Sequence, residues 1–113
     1  MFSIIIPTFN NLKYLKFCIE SIKKNSVLNN EILVHVSEDK NKETRNYLSN
    51  KNIIYTFTDK NVGLCTAINT VAKKTNNKYI IYSHDDMYFC PNWEEPLLNE
   101  IKNINHNYFY ISG

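Results

Sequence analysis

The sequence predicts a three-layer α/β/α fold on a mainly parallel sheet. Short apolar, β-branched runs alternate with longer stretches whose apolar residues recur at helical spacing. The connections between them are short. Such βαβαβ alternation calls for right-handed crossovers that lay helices on both faces of a parallel sheet. With 113 residues, the chain has room for a single domain spanning residues 1–113.

Each element can be justified in order. Phe2 to Ile6 is an apolar strand that Pro7 should stop. Asn10 or Asn11 can cap a helix to Lys24, with Leu12, Leu15, Cys18, Ile19 and Ile22 as its apolar stripe. Ile32 to Val36 is a second strand. Asn41 to Ser49 is a short polar helix anchored by Tyr47 and Leu48. Ile53 to Phe57 is a third strand. Leu64 to Lys74 is a helix whose Ala67 and Ala72 permit close packing on a sheet. Tyr79 to Ser83 is a fourth strand. Asn92 to Ile104 is a helix with Trp93, Leu97, Leu98 and Ile101 inward, and Pro96 in its first turn, where a missing N–H costs little. Tyr108 to Ser112 reads as a fifth strand.

Composition excludes several classes. Hydrophobic residues make up 43% and charged residues 21%, as in an ordinary globular chain. The net charge of +2 is too small to argue for nucleic acid or an anionic membrane surface. No apolar stretch is long enough for a transmembrane helix. The three cysteines, Cys18, Cys65 and Cys90, are odd in number and form no C-x-x-C pair, so neither zinc nor a disulfide framework is indicated. Free thiols and the lack of a signal peptide lead to the expectation of a cytoplasmic protein.

In an open α/β sheet, ligands bind beyond the carboxyl ends of the strands. Here those ends carry Pro7-Thr8-Phe9-Asn10, Ser37-Glu38-Asp39, Asp59-Lys60-Asn61-Val62-Gly63 and Ser83-His84-Asp85-Asp86. The opposite rim holds only turn chemistry such as Asn29-Asn30-Glu31 and Asn76-Asn77-Lys78. The asymmetry argues for a ligand crevice. Adjacent carboxylates after a strand either cap the next helix or hold a hard cation, which takes oxygen ligands and phosphate together. The rim favours the cation reading for Asp85-Asp86. His84 is a candidate third ligand or a neighbour that tunes charge. The Thr8 hydroxyl and the backbone around it can meet a flat base edge, or simply end the strand. Glu38 and Asp39 can accept from a uracil imide N–H, or solvate a turn. Gly63 allows close approach of a ligand, or supplies an unusual backbone angle. Asn69 within the helix has exposure as its plain explanation. Neither G-x-G-x-x-G nor G-x-x-x-x-G-K-S/T occurs, which disfavours a dinucleotide fold and excludes a P-loop.

Together these pieces resemble glycosyltransferase family 2, whose members have the Rossmann-like GT-A fold. Phe2 to Asn10 resembles the family's opening strand, which usually ends P-T-Y-N. Glu31 to Glu38 resembles the second strand, Asn61 to Asn69 the N-x-G-L-x-x-A-x-N stretch, and Tyr79 to Asp86 the strand ending in a D-x-D-type motif. Pro91-Asn92-Trp93 resembles the helix start that follows. Ser37, Asp39-Lys40 and His84 depart from the usual residues. The resemblance implies a nucleotide-diphosphate sugar as donor, a UDP-sugar favoured, with Mn2+ or Mg2+. Pro7, Thr8, Phe9 and Asn10 would line the base pocket. Glu38 would contact the base, and Asn61, Gly63 and Asn69 would flank the nucleotide. Asp85 would lie near the ribose or sugar and share the metal site with Asp86. The acceptor, a glycan, lipid or protein, is unspecified. The family's acceptor-binding half and its catalytic base have no counterpart here; Glu94, Glu95 and Glu100 read as a solvated helix face. The expectation is thus a donor-binding domain of a glycosyltransferase, incomplete by itself, with a non-catalytic nucleotide-binding or interaction module as the alternative. Open sheet edges make self-association a further expectation.

Overall fold

The computed structural model describes residues 2–102. The strand expected at Tyr108 to Ser112 lies outside the described residues. Eight elements follow one another: β1 (Phe2–Phe9), α1 (Leu12–Asn25), β2 (Glu31–Ser37), α2 (Glu43–Asn50), β3 (Ile54–Thr58), α3 (Leu64–Ala72), β4 (Tyr79–Tyr82) and α4 (Glu94–Lys102). The strands form a four-stranded sheet in the order β3-β2-β1-β4, parallel at every pairing. The α/β alternation read from the sequence is therefore the architecture. None of the described helices is long and apolar enough to cross a membrane.

The period-2 alternation of the strands sorts the core into two layers. Phe2, Ile4 and Ile6 of β1 and Val34 and Val36 of β2 face α1, with Leu48 of α2 and the Trp93, Leu97, Leu98 and Ile101 cluster of α4 on the same side. Ile5 and Leu33 face the other way, onto Val71 and Ala72 of α3. The small residues of α3 let it sit close to the sheet, as expected from Ala67 and Ala72. Among the described residues, α3 alone covers that face, and Ile80 and Tyr82 of β4 remain 51% and 38% exposed there.

Pro7 does not stop β1. The strand runs on to Phe9, with Pro7 opposite His35 in the β2 register. The reason lies in the ladder. In a parallel strand, alternate residues direct both backbone groups to opposite neighbours. The Ile5 carbonyl accepts from Ser83 N–H on the β4 side, and Pro7 shares its parity. The last β4 pairing is Ile5 with Tyr82, so the N–H that Pro7 lacks would have pointed past the end of β4. The elements otherwise differ from expectation by a residue or two at their ends. Two-residue shifts occur at the start of α2 (Glu43 rather than Asn41), the end of α3 (Ala72 rather than Lys74) and the start of α4 (Glu94 rather than Asn92).

Candidate functional site

Parallel pairing brings the four strand ends to one rim. Asp85 joins two of them. One carboxylate oxygen accepts from the Thr8 hydroxyl at 2.8 Å and the other from the Asn11 amide at 3.0 Å. Asn11 stands at the N-cap position of α1, yet its side chain makes no capping bond; it is turned to Asp85 instead. The Thr8 hydroxyl, a candidate for a base edge or simply part of the strand end, is committed to the same carboxylate, and Thr8 is buried. Asp85 thus ties the β1 end to the β4 end, with spare lone pairs on both oxygens.

Beneath it lies Cys18, buried, its thiol 3.7 Å from the His84 carbonyl and 4.0 Å from the Ser83 hydroxyl. Burial first, and the nearby Asp85 charge after it, push the thiol pKa up to about 11. Asp86 is exposed, and among the described residues nothing bonds its carboxylate. His84 has its Nδ1 3.3 Å from the Tyr82 hydroxyl, edge-on to that ring. No three metal-ligating side chains cluster among the described residues. One free carboxylate beside a half-committed one suits a hard cation that takes most of its ligands from phosphate and water, as Mg2+ does. It does not suit a cation that needs an all-protein cage.

The structure separates Glu38 from Asp39. Asp39 accepts from the Arg45 backbone N–H at 3.0 Å and from Arg45 Nε at 3.2 Å, and it lies 3.4 Å from Thr44 N, so it closes the start of α2. The Arg45 guanidinium lies 3.8 Å above the Phe57 ring centre and also donates to the Asp39 carbonyl. Glu38 is left with an unbonded carboxylate and a left-handed backbone, φ 51°. Asn10, at the end of the neighbouring strand, is left-handed as well, φ 49°. Glu38 in this region represents stored strain of the kind found at binding sites, whereas the asparagine beside it tolerates the conformation.

The turn before α3 is an Asx turn: Gly63 N–H donates to the Asn61 side chain at 3.1 Å. Gly63 has φ 86°, and a Cβ placed there would meet nothing within 4 Å. The glycine therefore serves the backbone angle and leaves the space above it open. Phe9 is 43% exposed beside this crevice, and Pro7 is half-buried. Asn69 is exposed within α3, away from the turn by more than one helical turn, and its side chain bonds none of the described rim residues.

One acid was misread from sequence, and the bonding of one mid-strand histidine, read as a packed or edge residue, was not foreseen. Glu94 is buried, not part of a solvated face. Its carboxylate accepts from Val27 N–H at 2.6 Å, Leu28 N–H at 3.1 Å and the Asn30 amide at 2.6 Å. It satisfies amides of the α1–β2 loop on the amino-terminal rim, far along the fold from Asp86, and no local sequence signal announces this. His35 is fully buried and bonded through both ring nitrogens to Thr56 and Thr58. Here a signal existed: threonines two apart on β3 share a face with a mid-strand histidine on β2. A groove of about 390 Å³ on the opposite rim, lined by Lys23, Asn29, Glu31, Lys51 and Asn52 among others, brings together turn residues and no pair of free acids.

Comparison with known proteins agrees with this picture. The profile of glycosyl transferase family 2 matches residues 3–112. An uncharacterized glycosyltransferase of Rickettsia bellii is 32% identical over 98% of this chain and 16% of its own length. Another, of Rickettsia typhi, is 32% identical over 92% of this chain and 33% of its own. The chain thus spans a third or less of these relatives. S. aureus TarS 1-349 in complex with UDP-GlcNAc superposes with a TM-score of 0.76 at 20% identity, covering 90% of this chain and 31% of that one. The Pyrobaculum calidifontis mannosyltransferase PcManGT, in complex with GDP-Man and Mn2+, does so with a TM-score of 0.70 at 17% identity, over 89% and 31%.

Proposed function

Because the chain belongs to glycosyl transferase family 2, we propose that it forms the donor-binding part of a glycosyltransferase that uses a nucleotide-diphosphate sugar, a UDP-sugar favoured over a GDP-sugar. The observation that carries this is the division of labour among the rim acids. Asp85 and Asp39 are spent on holding the rim together, while Glu38 and Asp86 stand free at its two sides. Glu38, just past the end of β2, reads the base, accepting from the imide N–H of uracil. Phe9 offers a ring face to the base, and the open space above Gly63 admits the nucleotide close to the backbone. Asp86, with the spare lone pairs of Asp85, holds a divalent cation against the diphosphate.

That cation, Mn2+ or Mg2+, would offset the charge that develops on the departing nucleoside diphosphate. The chain's own residues bind and orient the donor; Thr8 and Asn11 fix the Asp85 carboxylate in place by donating to it. Among the described residues, no free carboxylate other than Asp86 stands by Asp85 to deprotonate an acceptor, and Glu94 is sequestered. The acceptor step is therefore assigned to residues outside 2–102, in this or another chain. The second reading, a module that binds nucleotide and transfers nothing, rests on that same observation.

The test is calorimetric titration with UDP and GDP, with and without Mn2+, on wild type and Asp86→Ala. UDP binding that needs Mn2+ and is lost in Asp86→Ala is expected. Absence of binding by either nucleotide refutes the donor site. Transfer from a UDP-sugar by the chain alone refutes the non-catalytic module.

A further inference from the structure

We propose that His35 is a positioning residue for the nucleotide rim, acting through the Thr58 hydroxyl to hold the Glu38 turn and the Lys60–Gly63 turn in one arrangement. The ligand in this statement rests on the donor-binding reading above; the tie itself rests on geometry.

The geometry fixes the protons. His35 Nε2 lies 3.1 Å from Thr58 Oγ1, and Nδ1 lies 2.7 Å from Thr56 Oγ1. The Thr58 hydroxyl has one proton, and it is donated to the Lys60 carbonyl at 2.8 Å, which can only accept. Thr58 Oγ1 must therefore accept from His35, so Nε2 carries the hydrogen. In the neutral ring Nδ1 is then bare and accepts from Thr56. Burial, which pushes the imidazole below its ordinary pKa, keeps the ring neutral. The tautomer follows from the network.

Thr58 is the pivot. Its hydroxyl holds the Lys60 carbonyl, and its backbone carbonyl accepts from Glu38 N–H at 2.9 Å. One residue thus connects the left-handed Glu38 to the turn carrying Asn61 and Gly63. That turn is exposed from Asp59 to Gly63, and within it Gly63 N–H donates to the Asn61 side chain. Its far end is held by the buried Ala67, whose N–H donates to the Gly63 carbonyl at 3.1 Å, and its near end by the Thr58 hydroxyl, whose direction the His35 N–H decides. The residue that sets the rim lies on β2, one strand in from Thr58, and is fully buried.

The experiment uses Thr58→Val, His35→Asn, His35→Gln and Thr56→Val in the full chain, with three readouts: urea stability, UDP–Mn2+ affinity, and amide hydrogen exchange at Glu38 and Gly63. Ring 15N shifts of wild type report the tautomer. Thr58→Val and His35→Asn should weaken UDP about 5-fold, the effect of one neutral hydrogen bond, and speed Gly63 exchange. His35→Gln, whose amide reaches the Nε2 position, should restore both. Thr56→Val should lower stability and leave affinity and exchange unchanged. An unprotonated Nε2 overturns the proposal. So does a Thr58→Val that loses stability while affinity and Gly63 exchange match wild type. A wild type that binds neither UDP nor GDP, with Gly63 exchange still accelerated in Thr58→Val, overturns the donor reading and reduces the tie to a structural one.

Discussion

Replacing Glu38 by Asn or Gly separates backbone strain from ligand contact. Glu38 has φ 51°, its carboxylate is unbonded, and its N–H is kept by the Thr58 carbonyl, a bond that survives any substitution except proline. A left-handed conformation costs an ordinary L-residue roughly 1–2 kcal/mol. Glycine removes that cost but adds about 0.5–1 kcal/mol of chain entropy in the unfolded state. Glu38→Gly should therefore be between neutral and about 1.5 kcal/mol more stable than wild type. Glu38→Asn, which tolerates this region without glycine's entropy, should gain about 1 kcal/mol, or roughly 4 °C in Tm for a domain of this size. Both should lose nucleotide affinity by about 10-fold or more, the effect of removing a charged acceptor. Thermal melts and UDP calorimetry on the same samples read the two effects. Both substitutions destabilising the chain by more than 1 kcal/mol, or leaving UDP affinity unchanged, would refute the reasoning.

Four further outcomes follow from the same structure. Glu94→Ala leaves two backbone amides and the Asn30 side chain without their acceptor. It should cost about 3 kcal/mol in urea unfolding while leaving UDP affinity untouched in the folded fraction. Cys18, with its thiol pushed up to about 11, should resist alkylation at pH 8 while the exposed Cys65 and Cys90 react; denaturation should release the third thiol. Because the folded pKa of Cys18 is raised, its contribution to stability is present below about pH 9 and lost between 9 and 11; Cys18→Ala should remove that alkaline loss. The folded pKa of His35 is lowered, so its contribution is present above about 6.5 and is lost as pH falls through the folded value; His35→Gln should flatten that acid limb of the stability curve.

The strands and helices were legible because their signal is local. Val34, Val36 and Ile32 alternate with residues of the opposite face, and Leu15, Cys18, Ile19 and Ile22 recur every third or fourth position; both patterns are set by the geometry of one element. The rim was legible for a related reason: parallel crossovers put all carboxyl ends together whatever the loop details. Pro7 misled because its effect depends on which neighbour its absent N–H would have met, and that is settled only when β4 is in place. Glu94 misled because a glutamate in a helix's first turn is ordinary, and the amides of Val27 and Leu28 that it serves come from another part of the chain.

The sequence by itself determined the layer order, the parallel sheet and the rim on which Thr8, Glu38, Gly63 and Asp86 meet, because these follow from periodicity and handedness. Only the tertiary structure decided which rim acids are free. Asp39 and Asp85 are held by Arg45, Thr8 and Asn11, while Glu38 and Asp86 are not. Acids that look alike in sequence part company once folding supplies donors from six to more than seventy residues away. That pairing is a property of register and packing, not of any local run of residues.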